Sequence, residues 1–291
     1  MTVSIAFFSG TGNTRHVAEQ FARELRARNH AVHVLEIGPD GKDRSIGGDL
    51  LILCFPVHAG NAPRPVLDWI AGRRGGSGLP TAVFSVSAGG TVIPNVASRV
   101  WVKRRLAHKG YEVVSEGMIV MPSNWIVPTK PAVANALLLA LQSKVSFFTR
   151  QVLAGAGRRD RPGIGHRVLS ALGRVEHGGA RWFGQRMAVR NHCVGCGWCA
   201  SHCPTGNIRM VEQRPRFGGR CAACLRCVYG CPHAALSPGM ARFVVLAGGY
   251  NLQRLIQTRT KPTDHDLTRE SAGILWIGVR RYLREAGGLR S

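Results

Sequence analysis

At 291 residues and 45% apolar side chains, the chain has the length for one medium domain plus a smaller one and the composition of a folded protein. Its formal net charge of +23 is uneven: residues 1–126 hold 14 basic and 9 acidic side chains, whereas residues 127–291 hold 25 and 7. No unbroken run of about 18 apolar residues argues for a membrane span, since Ala132–Leu141 is too short and is followed by Ser143 and Lys144. The opening Thr2-Val3-Ser4-Ile5 lacks the charged start of a leader and reads as a strand, so a cytoplasmic protein is predicted.

Along residues 1–121, apolar strands alternate with amphipathic helices. Val3–Phe8 is a compact strand, and Thr14–Asn29 follows with Val17, Ala18, Phe21 and Leu25 at helical spacing. Strands are predicted at Ala31–Ile37, Leu50–Phe55, Ala82–Val86 and Tyr111–Met121, with helices over Pro65–Gly72 and Asn95–His108. This alternation implies a doubly wound parallel α/β sheet of five strands, and the wholly apolar Leu50–Phe55 suits a strand covered on both faces. A connector over 127–186 carries a helix from about Ala132 to Leu153, then an Arg/Gly-rich break at Gly155–Arg161. The cysteine segment spans 187–240, and 241–291 forms a C-terminal extension of one or two helices, with Arg280, Arg281 and Arg284 on a basic tail.

Between the first strand and its helix lies Ser9-Gly10-Thr11-Gly12-Asn13-Thr14. Amides and hydroxyls at a helix N-terminus make an anion site, and the helix dipole favours a phosphate there. Neither a G-x-G-x-x-G fingerprint nor a Walker loop is present. The pattern S/T-x-T-G-x-T after a first strand resembles flavodoxins, whose corresponding loop holds the phosphate of FMN. That resemblance covers residues 1 to about 121. It implies two further flavin loops, Pro56-Val57-His58-Ala59-Gly60-Asn61 and Ser87-Ala88-Gly89-Gly90-Thr91, both at the carboxyl ends of strands. The second loop departs from the flavodoxin habit of stacking an aromatic ring on the flavin, which leaves His58 as the nearest ring. Cys54, closing an apolar strand, reads as a core thiol.

Eight of the nine cysteines form two groups. Cys193, Cys196, Cys199 and Cys203-Pro204 have C-x₂-C-x₂-C-x₃-C-P spacing, and Cys221, Cys224, Cys227 and Cys231-Pro232 repeat it 28 residues on. In such runs three thiolates wrap one iron–sulfur cube and the fourth reaches the other. The predicted ligand sets are therefore Cys193, Cys196, Cys199 with Cys231, and Cys221, Cys224, Cys227 with Cys203. Zinc prefers paired C-x₂-C motifs across a longer loop and fits this layout poorly. Residues 187–237 resemble bacterial two-cluster ferredoxins, a small α+β fold, implying two 4Fe-4S clusters. Trp198 is read as shielding a cluster; His192, His202 and His233 are read as neighbours of ligands or as surface residues.

The whole order resembles flavodoxin–ferredoxin fusion proteins, which implies electron transfer between the clusters and FMN and a partner redox enzyme. An FMN-dependent oxidoreductase acting directly on a small substrate is the alternative. The basic field favours a redox partner with an acidic docking surface, or peripheral contact with an anionic membrane. No reader motif of a nucleic-acid module is present, so nucleic acid is not expected. Phe243, Val244, Val245, Leu246 and Ile274, Leu275, Trp276, Ile277 are expected to cover the ferredoxin core in preference to docking on a membrane. The sequence gives no oligomeric state.

Overall fold

The computed structural model describes residues 1–38, 46–157 and 176–286, with isolated positions 163, 165, 168 and 171 between them. Positions 158–161 of the Arg/Gly-rich break lie outside the described residues.

Five parallel strands, β1 (Thr2–Phe7), β2 (Ala31–Glu36), β3 (Leu50–Pro56), β4 (Pro80–Ser87) and β5 (Glu112–Val120), form one sheet in the order β2-β1-β3-β4-β5. That is the flavodoxin-like doubly wound order, whose switch point falls between β1 and β3. β3 and β4 are almost wholly buried, while the edge strand β2 is largely exposed, which is why only the inner strands read as continuous apolar runs. Helix α1 (Asn13–Arg26) buries Val17, Phe21 and Leu25 on one face with α4 (Pro131–Leu153). Helices α2 (Arg64–Ala71) and α3 (Val100–His108) cover the other face.

One element differs from expectation. The segment predicted as one helix over Asn95–His108 is a 3₁₀ turn at Asn95–Ala97 followed by α3. Arg99 stands at the joint and is 1% exposed, donating to Glu116 at 2.8 Å and to Ser85 at 2.7 Å, so the chain bends to seat a buried ion pair. Helix α4 runs unbroken for 23 residues through Ser143 and Lys144, with the length and hydropathy of a bilayer span. Yet 61% of its apolar window is buried within the protein. The Lys144 ammonium pairs with Glu285 at 3.3 Å and sits 4.5 Å from the Tyr282 ring centre, which explains how a lysine interrupts the run without ending the helix.

Beyond α4 the chain forms α5 (Glu176–Gln185), β6 (Ala188–Val189), a short α6 (Trp198–Ser201), the hairpin β7 (Ile208–Val211) and β8 (Arg214–Phe217), a short α7 (Arg226–Tyr229), and β9 (Leu236–Ser237) antiparallel to β6. This is a small ferredoxin-like α+β unit. Three helices follow: α8 (Leu252–Gln257), α9 (Asp264–Glu270) and α10 (Ile277–Glu285). Leu252 enters the core with α1, while Leu267, Val279, Tyr282 and Leu283 pack on α4. The later extension thus covers the flavodoxin-like domain, a correction to its expected place over the ferredoxin core. Of the apolar residues there, Ala241, Val244 and Val245 join the cluster around the second cysteine loop, whereas Ile274 and Leu275 are 82% and 70% exposed.

Candidate functional site

The three loops at the carboxyl ends of β1, β3 and β4 converge on one cleft of about 510 Å³. That volume suits a mononucleotide-sized ligand. Ser9, Gly10, Thr11, Asn13, Thr14, Pro56, Val57, His58, Ala59, Ser87, Ala88 and Gly89 line it. Gly12, Gly60 and Gly90 do not reach its wall; they turn the loops, with φ of 101°, 78° and 75°.

The first loop is built to receive an anion. The buried Ser9 hydroxyl accepts the Gly12 amide at 3.2 Å, fixing the turn. The backbone amides of Thr11 and Asn13, at the start of a 14-residue helix, have no acceptor among the described residues. These free donors fit a phosphate monoester. The side chains are held from outside: Asn124 donates to Thr11, and the Tyr250 hydroxyl donates to Asn13, whose amide donates to the Pro122 carbonyl at 2.8 Å. Burial among these groups holds the Tyr250 phenol above its usual range. At the β3 loop, His58 and Asn61 exchange both backbone hydrogen bonds at 2.8 Å, which closes a tight turn over Ala59 and Gly60.

Several wall residues escape a reading of the sequence: Asn95, Met121, the segment Pro122-Ser123-Asn124-Trp125, and Gly179, Ala180 and Phe183 of α5. The rings of Trp125 and Phe183 lie 6.1 Å apart, so the aromatic surface absent from Ser87–Thr91 enters from elsewhere. Trp125 lies five residues beyond the end of β5, and the rule that ligands bind beyond strand ends could have found it. Phe183 is brought there by tertiary packing alone.

Two residues of the second cysteine loop, Ala223 and Cys224, complete the wall. A Cβ on Gly10 would collide with the Cys224 carbonyl, so the anion loop and the cysteine loop touch backbone to backbone. Arg226 fastens the contact. Its guanidinium donates to the carbonyls of Ser9 and Gly10, the latter at 3.1 Å, to the His202 carbonyl at 3.2 Å, and to the Glu36 carboxylate.

The eight cysteines wall two small cavities. Cys193, Cys196, Cys199 and Cys231 line one; Cys203, Cys221, Cys224 and Cys227 line the other. In both cavities the fourth cysteine comes from the other repeat. Amides already point at three sulfurs: Asn207 to Cys203 at 3.2 Å, Ala223 to Cys221 at 3.3 Å and Ala235 to Cys231 at 3.4 Å. Such donors favour a charged thiolate. Burial pushes the Cys221 thiol the other way, to about 12, a cost that a bound cation would offset. The repeat extends to the backbone. Gly195, Gly197 and Gly206 are left-handed, and 28 residues later so are Ala223, Leu225 and Ala234. Trp198 lines the first cavity and stacks on His202 at 4.2 Å; His233 lines the same cavity, and His192 lies at the surface. Cys54 is fully buried in the sheet, with its thiol held protonated by burial.

A family model described as a 4Fe-4S binding domain matches residues 189–209. No curated protein matches the chain. Among solved structures, oxidised flavodoxin 2 from Bacillus cereus aligns at 21% identity over 54% of this chain and 98% of its own, with a TM-score of 0.41. A flavodoxin from the domain Archaea aligns at 13% identity over 53% and 99%, with a TM-score of 0.35. The two-electron reduced flavodoxin of Megasphaera elsdenii aligns at 20% identity over 40% and 85%, with a TM-score of 0.32. Strand order and the matched cysteine segment define the class: a flavodoxin-like domain joined to a ferredoxin-like domain that binds at least one 4Fe-4S cluster. In architecture the chain is a flavodoxin-like sheet domain followed by a ferredoxin-like segment.

Proposed function

We propose that this protein carries two 4Fe-4S clusters and one FMN and passes electrons between them and a partner redox protein. The observation that carries the reading is the double position of Cys224, which walls both the second cysteine cavity and the flavin-sized cleft. The second cluster would then lie against the flavin site and the first would be the outer one. When bound, FMN exchanges one or two electrons and the clusters exchange one each, so the pair converts between the two modes.

The chain's own residues have separable tasks. Ser9, Thr11, Asn13 and Thr14 present donors to the phosphate, and α1 adds its dipole. His58, Trp125 and Phe183 supply ring surface to a flat aromatic ligand. Arg226 holds the anion loop against the second cysteine loop, which fixes the distance an electron must cross.

Anaerobic purification followed by iron, sulfide and flavin quantification is the test. About eight irons and one FMN per chain are expected, with flavin bleaching following cluster reduction in a stepwise titration. About eight irons without flavin, even after FMN is added, would sink the flavin half of the reading. Flavin that stays oxidised while the clusters are reduced would sink the electron path. Turnover of a small acceptor by the isolated protein would favour a direct oxidoreductase.

A further inference from the structure

We infer that the outer face of the β7–β8 hairpin is the docking surface for an acidic one-electron carrier protein, which exchanges electrons at the first cysteine cavity. This inference rests on the two-cluster reading above but not on the flavin. Residues alternate cleanly along the hairpin: Ile208, Met210, Pro215 and Phe217 turn inward, and Met210 and Pro215 line the first cavity. The outward positions are Arg209, Val211, Arg214 and Arg216, all exposed. The hairpin turn at Glu212-Gln213 packs against Gly195, where a Cβ would lie 2.6 Å from the Gln213 carbonyl oxygen, so the strip is seated on the first cysteine loop.

The charges are arranged against the stability of the hairpin. Arg209 lies directly opposite Arg216, and like charges so placed destabilise a strand pair. Arg214 reaches the Arg190 carbonyl at 3.4 Å, bringing a fourth exposed arginine beside the strip. From 186 to 220 the sequence holds six arginines and a single acid, Glu212. No carboxylate pairs with Arg190, Arg209, Arg214 or Arg216 among the described residues. An unneutralised field on the hairpin beside this cavity is explained by a partner that supplies the missing carboxylates.

The electron port lies within reach of that field. Cys196 is exposed and Val194 is 58% exposed, whereas Cys224 of the second set faces the internal cleft. A docked carrier therefore meets the first ligand set beside the arginine strip, with Val194 and Val211 as exposed apolar contacts. In each encounter the carrier loses one electron and the cluster gains it, or the reverse. A bare polyanion such as nucleic acid would satisfy the charges but leave the exposed cluster without a role, which is why a redox protein is favoured.

The test uses the full iron-loaded chain and the triple variant Arg209→Gln/Arg214→Gln/Arg216→Gln. A control carries Arg254→Gln/Arg259→Gln/Lys261→Gln in the C-terminal extension. Stopped-flow oxidation of the reduced protein by anionic hexacyanoferrate(III) and by cationic hexaamminecobalt(III) is followed in the cluster's visible band. At low salt the hairpin variant should lose about tenfold or more of its rate with the anion and gain rate with the cation. The control should change less than about twofold by the same reasoning. Binding of an acidic one-cluster ferredoxin, titrated against salt, should weaken and lose most of its salt slope in the hairpin variant alone. Iron and sulfide content must match the parent in both variants. Equal rates and equal ferredoxin binding in parent and hairpin variant would overturn the assignment. So would duplex DNA or phosphatidylserine vesicles that bind this strip more tightly than the ferredoxin. A protein that proves free of flavin leaves this test intact, because its readout is the cluster.

Discussion

The two cysteine loops share spacing, ligand order and backbone shape, yet their surroundings are opposite. The first opens outward, with Cys196 exposed and glycine at each left-handed position of its loop. The second lies under the flavin-sized cleft, holds Ala223 and Leu225 in the same left-handed region, and is clamped by Arg226. A left-handed non-glycine residue costs about 1–2 kcal/mol, and the second loop tolerates it because Leu225 is buried and Ala223 forms part of the cleft wall. The pair shows how one duplicated loop can be set in two surroundings, with burial rather than ligand chemistry making the difference.

Removing one ligand from each loop tests this asymmetry hardest. Cys196→Ala and Cys224→Ala should each lower iron from about eight to about four per chain. Only Cys224→Ala should also weaken FMN binding, by about tenfold or more, equivalent to about 1.4 kcal/mol. Equal FMN affinity in the two variants would erase the distinction between outer and inner loops. Next in size is Arg226→Gln, which strips charge-assisted bonds from both domains and should cost about 2–4 kcal/mol in denaturant unfolding. Arg226→Lys should restore only part, because an ammonium cannot spread over four oxygens in a fork.

Backbone strain gives a finer comparison. Gly195→Ala should destabilise by about 2 kcal/mol or more, since the new Cβ is both left-handed and crowded by the Gln213 carbonyl. Ala223→Gly relieves strain but loses one buried methyl, so thermal unfolding should move by no more than about 1 kcal/mol. The smallest effect lies outside both loops. Burial, then the charges of Arg23 and Arg259, hold His16 below its ordinary value of 6.5. The neutral ring is favoured in the fold, so stability should be full above pH 6.5 and fall as pH drops below it. His16→Gln should flatten that acid limb while leaving cluster content untouched, which separates the sheet domain from the cysteine loops.

The parallel sheet and the crossed cysteine pattern are legible because each writes a local rule into the chain: apolar strands at regular intervals, and thiols at two- and three-residue steps. The anion loop is legible for the same reason. The hairpin of β7 and β8 escapes such a reading, since Ile208–Phe217 is short and four of its ten residues are charged. Trp125 and Phe183 escape it because neither sits in a motif, and long-range packing of α5 sets one of them. The C-terminal extension is misplaced by the sequence because its apolar residues state that something is covered without stating what. Only the partners Leu137, Ala140 and Val120 identify it as the α4 side of the sheet.

The contact of Gly10 with the Cys224 carbonyl ties two nutrient economies together. Were the proposed second cluster lost, the inner cysteine loop would lose its metal, and the loop proposed to cradle phosphate would lose the surface on which it rests. Under iron starvation such a protein would shed its flavin as well, and flavin added to the medium would not bring it back. Maturation would run in one order, metal before vitamin, with the half-built chain unable to pass stray electrons to oxygen through an uncoupled flavin.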